Sequence, residues 1–215
     1  MKKLTQIIIA AALIPALLQT SCFAAAITDA ELAELSAYGI FSGDEDGYRL
    51  GDYVTRAEFC KMVCVAASLP AVDSGVDFSD VDASHWAYEY IAAAAASGLI
   101  NGDENGNFDP DGNITYTDGA KIILQALGYE PFADTMGGYP SGYYFTANQY
   151  GLTDGMLFDS YNPMNRKDAA QMLYNALDVP LMVEGDNASG GAMVFYIADG
   201  ESGREKITFR IRLDG

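Results

Sequence analysis

The chain repeats one short pattern three times, and this repetition restricts what it can fold into. The pattern occurs at residues 54–58 (Val-Thr-Arg-Ala-Glu), 114–118 (Ile-Thr-Tyr-Thr-Asp) and 164–168 (Met-Asn-Arg-Lys-Asp). In each copy a Thr or Asn precedes an acidic residue by three positions, which is the spacing of a helix-capping box. Each copy is therefore predicted to begin a helix. The cap residues are Thr55, Thr115 and Asn165, and the acidic residues are Glu58, Asp118 and Asp168.

The sequence around these helix starts repeats as well. A Gly-Ile or Gly-Leu pair precedes each copy, at Gly39, Gly98 and Gly151, and apolar residues follow each copy at helical spacing. A mainly α fold is therefore predicted, in which each unit runs from a helix through a glycine-rich loop and a short extended piece to the capped helix. The predicted units cover about residues 27–70, 76–128 and 132–179.

The first helix of each unit is less regular than the capped one. It is predicted at about residues 28–38 in the first unit, and from residue 84 or 85 to residue 97 in the second. The equivalent stretch of the third unit, residues 139–150, contains Pro140 and Gly142. Because both residues disfavour a helix interior, the third of these helices should begin later than its counterparts.

Two Asp/Gly-rich loops resemble calcium-binding loops in composition but not in the spacing of the possible ligands. An EF-hand loop that begins at Asp103 would need glycine at its sixth position, where Phe108 stands. We therefore interpret the loops as tight turns in which Gly47 and Gly106 adopt positive φ. No metal site is predicted, and weak adventitious calcium binding is kept as the alternative.

Residues 1–26 have the composition of a secretory signal peptide, with Lys2 and Lys3, an uncharged apolar run and three alanines. We expect this segment to be removed on export and to lie outside the fold. The apolar run is short for a membrane span, although a retained anchor helix stays open. Lipoprotein processing at Cys22 also stays open, but Gln19 stands where such a site usually carries an aliphatic residue.

The formal net charge of −18 limits the partners of the chain. Nucleic acid and anionic membranes are disfavoured because both would need a basic face. Any anionic ligand must therefore be held by a local positive site. For most of the acidic residues, the simpler interpretation is that they keep an extracellular protein in solution.

The chemically reactive residue types point away from catalysis. Cys60 and Cys64 stand four positions apart on a predicted helix and align with apolar residues or Tyr in the other units, so they are interpreted as core residues. His85 is the only histidine, and no catalytic triad, carboxylate pair or metal cluster has a recognisable spacing. We predict a chain that is not an enzyme and has no cofactor. A wall hydrolase would need a catalytic part after residue 215.

The last segment, residues 180–215, differs in kind from the units. Residues 192–197 and 206–213 have strand character, and the second run alternates apolar and polar residues. Asp199 and Gly200 lie between them, so a β-hairpin is predicted. Since an isolated hairpin is marginally stable in water, it must dock on the units, pair with another chain or begin a further module.

Several spaced motifs together resemble the S-layer homology (SLH) family. They are the Phe-Ser-Asp-Val stretch through Trp86 to Ile91, the Gly-Leu-Ile-Asn-Gly loop at 98–102, Phe108 with its following Asp-Pro, and the Thr-Arg-Ala-Glu sequence at 55–58. The resemblance covers about residues 27–179. It implies a pseudo-threefold helical bundle and a secreted location in the cell wall or S-layer of a Gram-positive bacterium. It also implies non-covalent binding of pyruvylated secondary cell-wall polysaccharide in grooves between neighbouring units.

The residues offer a mechanism that agrees with this resemblance. Arg56 and Arg166 directly follow their cap residues, so each guanidinium should lie beside the free N–H groups of a helix start. A bidentate donor at the positive end of a helix dipole suits a carboxylate. The resemblance implies that both arginines contact ligand, and the alternative is an exposed helix start that pairs with Asp or Glu.

Two aromatic residues complete the candidate carbohydrate site. Tyr116 replaces the arginine in the second copy, so its groove either binds neutral sugar by stacking or binds nothing. Trp86 either stacks on a sugar face or packs inside the fold, and its alignment with Tyr139 and Ile27 favours packing.

A second functional hypothesis is a structural protein of a surface layer. It depends on the alternating run at residues 206–213, because an exposed strand can pair with a neighbouring chain. Under this hypothesis other surface-layer proteins are partners.

Overall fold

The computed structural model describes residues 26–72, Gly75, and residues 78–185, 194–197 and 207–214. The predicted signal peptide, apart from Ala26, and the possible lipoprotein cysteine Cys22 lie outside these residues. The described part is mainly helical, which confirms the predicted fold class. Its helices are α1 (Asp29–Ala37), α2 (Arg56–Ala66), α3 (Tyr88–Ala96), α4 (Tyr116–Ala126), α5 (Glu130–Thr135), α6 (Ser141–Gln149), α7 (Arg166–Ala176) and α8 (Phe209–Asp214). Two short strands are β1 (Met182–Gly185) and β2 (Val194–Ile197).

A closed ring of three backbone hydrogen bonds forms the centre of the molecule. The N–H of Val54 donates to the carbonyl of Met164, that of Met164 to Ile114, and that of Ile114 back to Val54, at 3.0, 2.8 and 3.0 Å. All three side chains are fully buried. Because each residue comes from a different unit, the ring gives the units a pseudo-threefold arrangement.

The capped helices α2, α4 and α7 begin two residues after this ring. Thr55, Thr115 and Asn165 are their N-caps, and each side chain accepts from the N–H three residues on. Of these, α2 has a complete capping box, in which Glu58 accepts in return from the N–H of Thr55. The predicted starts of all three helices are therefore confirmed.

The outer helices α1, α3 and α6 precede the loops. Helix α1 begins after Thr28, close to the predicted position, and α3 begins a few residues later than predicted. The prediction that the third outer helix begins later than its counterparts is wrong. Helix α6 begins directly after Pro140 and contains Gly142, where a Cβ atom would lie 2.1 Å from the carbonyl oxygen of Ala133. The glycine allows α5 to approach α6 closely.

The turns and cysteines agree with their interpretation from sequence. Gly47 and Gly106 have φ values of 88° and 77°, as predicted for tight turns. Cys60 and Cys64 are buried and free, and both thiols contact the carbonyl oxygen of Tyr90. The hydrogen bond with Cys64 and burial raise the pKa of the Cys60 thiol. None of the described helices is long and apolar enough to cross a membrane.

The C-terminal segment differs from the prediction in one of its two strands. Strand β2 lies within the predicted strand at 192–197, but its antiparallel partner is β1, with Met182 opposite Ile197. The predicted strand at 206–213 is wrong, because α8 occupies most of that run. The exposed strand that motivated the hypothesis of strand-mediated assembly is therefore not present there.

Tertiary contacts explain why the alternating run is helical. The guanidinium of Arg210 donates to Asp178 from Nε and Nη2, at 2.7 and 2.9 Å, and to Glu34 from Nη1. The backbone N–H of Arg210 donates to the carbonyl of Leu177, and Phe209 is fully buried. The segment consequently docks beside α1 and α2 and at the end of α7, which was one of the alternatives left open by the sequence.

Truncation of the central ring should destabilise the whole fold. We expect Ile114→Ala to lower the free energy of unfolding by about 2–5 kcal/mol, because it leaves a cavity where the three units meet. Leu157→Ala is the control, since Leu157 is 86% exposed and its truncation should cost less than about 0.5 kcal/mol. Chemical denaturation followed by circular dichroism measures both values. Equal losses in the two variants would contradict the central role of the ring.

Candidate functional site

Two grooves lie at equivalent places between neighbouring units. The Arg166 groove has a volume of about 210 Å³, and the Arg56 groove has a volume of about 180 Å³. The first is lined by Arg166 with Ser42, Arg49, Glu58, Lys61 and Trp86, among others. The second is lined by Arg56 with Leu99, Asn101, Asp118, Lys121 and Ile122, among others.

Each groove combines residues from the starts of two capped helices. One helix supplies its first residue, the arginine. The helix of the neighbouring unit supplies its third residue, an acid, and its sixth residue, a lysine. Lys61 and Lys121 were not recognised from the sequence. An alignment of the three copies could have identified them, because it places both lysines three residues after the capping acid. Gln171 occupies the same position in the third unit.

The Arg166 side chain is almost completely enclosed. It is 5% exposed, and its guanidinium carbon lies 4.8 Å from the centre of the Phe41 ring. Nε donates to the carbonyl of Tyr48 at 2.9 Å, and Nη2 donates to the carbonyl of Ser42 at 2.7 Å. Nη1 donates to the carboxylate of Glu58 at 3.3 Å. All three nitrogens of this arginine therefore have partners within the protein.

Arg56 occupies the equivalent position but keeps its terminal nitrogens open to the groove. Nε donates to the carbonyl of Phe108 at 2.8 Å, and the guanidinium carbon lies 4.7 Å from the centre of the Phe108 ring. Within the described residues, Nη1 and Nη2 have no hydrogen-bond acceptor. The side chain is thus held in place at one edge, while its outer edge is available to a ligand.

An exposed aromatic ring lies at each groove. Trp86 is 56% exposed and lines the Arg166 groove, so the preferred interpretation that it packs inside the fold is wrong. Tyr139 is similarly exposed beside the Arg56 groove, with its ring 5.7 Å from Nζ of Lys121. Its hydroxyl donates to Asp118 at 3.1 Å. Burial of part of the ring and the carboxylate of Asp118 raise the pKa of Tyr139 to about 12.

The third position between units is closed. Tyr116 is buried, its ring packs on that of Phe158, and its hydroxyl donates to Asp168 at 2.5 Å. Burial and the hydrogen bond with Asp168 raise the pKa of Tyr116. Gln171 is buried where the other units carry a partly exposed lysine. Tyr116 therefore stabilises the contact between units and presents no ring face for a sugar to stack on.

The expectation of free N–H groups at the helix starts is wrong. The N–H groups of Arg56 and Ala57 donate to the carbonyls of Gly112 and Pro110, which belong to the neighbouring unit. The third N–H, that of Glu58, donates to the cap residue Thr55. The same arrangement occurs at the other two capped helices. Any anion in these grooves must consequently be held by groups other than these helix N–H groups.

The chemistry of the Arg56 groove suits a carboxylate. Arg56 and Lys121 supply two cations against one acid, Asp118, in a chain with a large negative charge. Such a local positive site is what the overall charge requires for an anionic ligand. In the described part of the chain, no three His, Cys, Asp or Glu side chains are grouped as a metal ion would need.

Comparison with known proteins finds a family match for segments of the first two units. Residues 26–60 and 77–118 match the model of the S-layer homology domain. The third unit lies outside the matched segments and has the same order of outer helix, loop and capped helix in the structure.

The relatives are longer proteins. A "Cell surface protein" of Thermoanaerobacter kivui is 32% identical over 56% of this chain and 16% of its own length. A "Middle cell wall protein" of Brevibacillus brevis is 30% identical over 69% of this chain and 14% of its own length. An "Endoglucanase" of a Bacillus species is 38% identical over 36% of this chain and 8% of its own length. The similar part is thus a small fraction of each relative.

The two groove arginines should differ in their effect on folding. We expect Arg166→Gln to lower the free energy of unfolding by about 2–3 kcal/mol, because it removes the charged donor of the Tyr48 and Ser42 carbonyls and breaks the ion pair with Glu58. Arg56→Gln should cost about 0.5–1.5 kcal/mol, since it removes one hydrogen bond of a partly exposed side chain. Thermal and chemical denaturation of both variants measure the difference. Equal losses would contradict the description of Arg166 as the enclosed residue.

Proposed function

Because the chain belongs to the S-layer homology family, we propose that it anchors itself to the cell wall by non-covalent binding of pyruvylated secondary cell-wall polysaccharide. Membership of the family indicates a secreted protein of the cell surface with an anchoring or surface-layer role. The proposal adds two specific features to this general role, the polysaccharide and its pyruvate group. The observation that supports them is the Arg56 groove, which places an arginine and a lysine of neighbouring units beside an exposed tyrosine.

A pyruvate ketal has the features that this groove can recognise. Its carboxylate is a planar anion that accepts two parallel hydrogen bonds from the free edge of Arg56. Lys121 adds a second positive charge from the opposite unit. The sugar that carries the ketal presents C–H groups, which pack on an aromatic face such as that of Tyr139. Carboxylate, charge and ring contact together would select a pyruvylated sugar over a neutral one.

The proposed action is binding without a chemical step. Anchoring requires only that the polysaccharide stay bound, and charge-assisted hydrogen bonds in a partly enclosed groove supply that affinity. We therefore propose that the described part of the chain is not an enzyme. The Arg166 groove contains the same types of residue, and Trp86 is its exposed aromatic ring.

Removal of the Arg56 charge should weaken binding to purified polysaccharide. We expect Arg56→Gln to lower the affinity about 10- to 100-fold, which corresponds to about 1.5–3 kcal/mol for a charge-assisted hydrogen bond. Arg212→Gln is the matched control, because it removes the same charge from an exposed position on α8. Surface plasmon resonance with immobilised polysaccharide measures both.

The same assay tests the pyruvate group directly. Mild acid removes the ketal, and the depyruvylated polysaccharide should bind the unaltered protein at least about tenfold more weakly. Binding that is unchanged by depyruvylation and by Arg56→Gln would overturn the carboxylate mechanism. Absence of binding to either polysaccharide would overturn the proposed function.

A further inference from the structure

We infer that the length of the acidic side chain at the third position of the capped helix decides which groove accepts a carboxylate. Glu58 pairs with Arg166 inside the protein, whereas the shorter Asp118 leaves the guanidinium of Arg56 free for a ligand. The inference rests on the proposed function and adds to it the residue that selects the site.

Glu58 reaches both its own helix cap and the arginine across the groove. Its Oε2 accepts from the backbone N–H of Thr55 at 3.0 Å, and its Oε1 accepts from Nη1 of Arg166 at 3.3 Å. The side chains of Arg166 and Glu58 are 6% and 28% exposed, so solvent screens this pair only weakly. A ligand carboxylate would have to displace Glu58 or approach it as a like charge.

Asp118 is one methylene shorter and has different partners. Its Oδ2 lies 2.8 Å from the Thr115 hydroxyl, and its Oδ1 accepts from the Tyr139 hydroxyl at 3.1 Å. In the described residues, no acidic side chain forms an ion pair with Arg56. The carboxylate of Asp118 is thus turned towards neutral hydroxyl groups, and the guanidinium of Arg56 remains without a counter-charge.

The second arginine of the Arg166 groove is paired as well. Arg49 lies 3.1 Å from Asp44 and 3.6 Å from Asp52. Every arginine that lines this groove therefore has an acidic partner in the protein. The lysines do not distinguish the grooves, because Lys61 and Lys121 occupy equivalent helix positions. The difference in counter-charge at the groove arginines consequently lies in the acids.

Substitution of each of the two acids tests the inference. The probe is a methyl glycoside that carries a pyruvate ketal, and isothermal titration calorimetry counts the sites. The unaltered protein should bind one equivalent. Glu58→Gln should add a second site, because the affinity of the Arg166 groove for the probe should rise roughly tenfold or more. Asp118→Glu should weaken the original site by a similar factor, since the longer acid can reach Arg56.

Both substitutions preserve the helix start. Glutamine suits the third position of a capping box, and glutamate at position 118 would complete a box that α4 lacks. The melting temperature of Asp118→Glu should therefore not fall, so a loss of binding could not be ascribed to unfolding. Glu104→Gln is the control for charge alone, because Glu104 is exposed and lines neither groove.

The possible outcomes separate the inference from the proposed function. Two equal sites in the unaltered protein, or a stoichiometry and affinity that neither substitution changes, would overturn the inference and leave carboxylate binding intact. An effect of Glu104→Gln as large as that of Glu58→Gln would also overturn it, because total charge would then be the cause. Failure of the probe to bind any variant, together with failure of the polysaccharide to bind, would overturn both.

Discussion

The three hydrogen bonds among Val54, Ile114 and Met164 are the constraint on which the grooves depend. Each bond fixes the register of one extended piece against the next, immediately before a capped helix begins. The first helical residue of one unit is thereby placed beside the third and sixth residues of its neighbour. Without that register, Arg56 and Lys121, which belong to different units, would not face the same space.

The residues at the helix starts affect both the stability of the fold and the charge of the grooves. A capping acid is favoured at the third position whatever the ligand, because it satisfies backbone N–H groups and complements the helix dipole. In this fold the same acid also lies on the wall of a groove. The Thr side chain caps the helix with either Glu58 or Asp118 at this position, but the two acids give the arginine opposite a different environment. Small differences at a structural position can therefore alter binding.

The sequence allowed the capped helices to be predicted because their signals are local. Thr55 and Glu58 are three residues apart, and the contacts that make them a cap are formed within one turn. Helix α8 could not be predicted in this way. The alternation of Phe209, Ile211 and Leu213 is compatible with a strand, and the contacts of Arg210 with Asp178 and Glu34 come from distant parts of the chain.

The candidate site shows the same division between local and distant information. Arg56 and Arg166 could be selected from the sequence because helix capping accounts for the residues beside them but not for the arginines themselves. Their inequivalence could not be predicted, since the partner of Arg166 is Glu58, 108 residues away in the chain. Trp86 was assigned to packing by alignment, which compares positions but does not measure exposure.

The pseudo-threefold backbone carries three chemically different positions. The first, third and sixth helical residues that meet there are Arg166, Glu58 and Lys61 in one place, Arg56, Asp118 and Lys121 in the next, and Tyr116, Asp168 and Gln171 in the last. The last set has no cation, and its tyrosine and acid satisfy each other in a buried contact. Because the backbone ring and the caps are retained in all three places, stability does not require three binding grooves. One closed contact, one internally paired groove and one open groove can therefore coexist on a single scaffold.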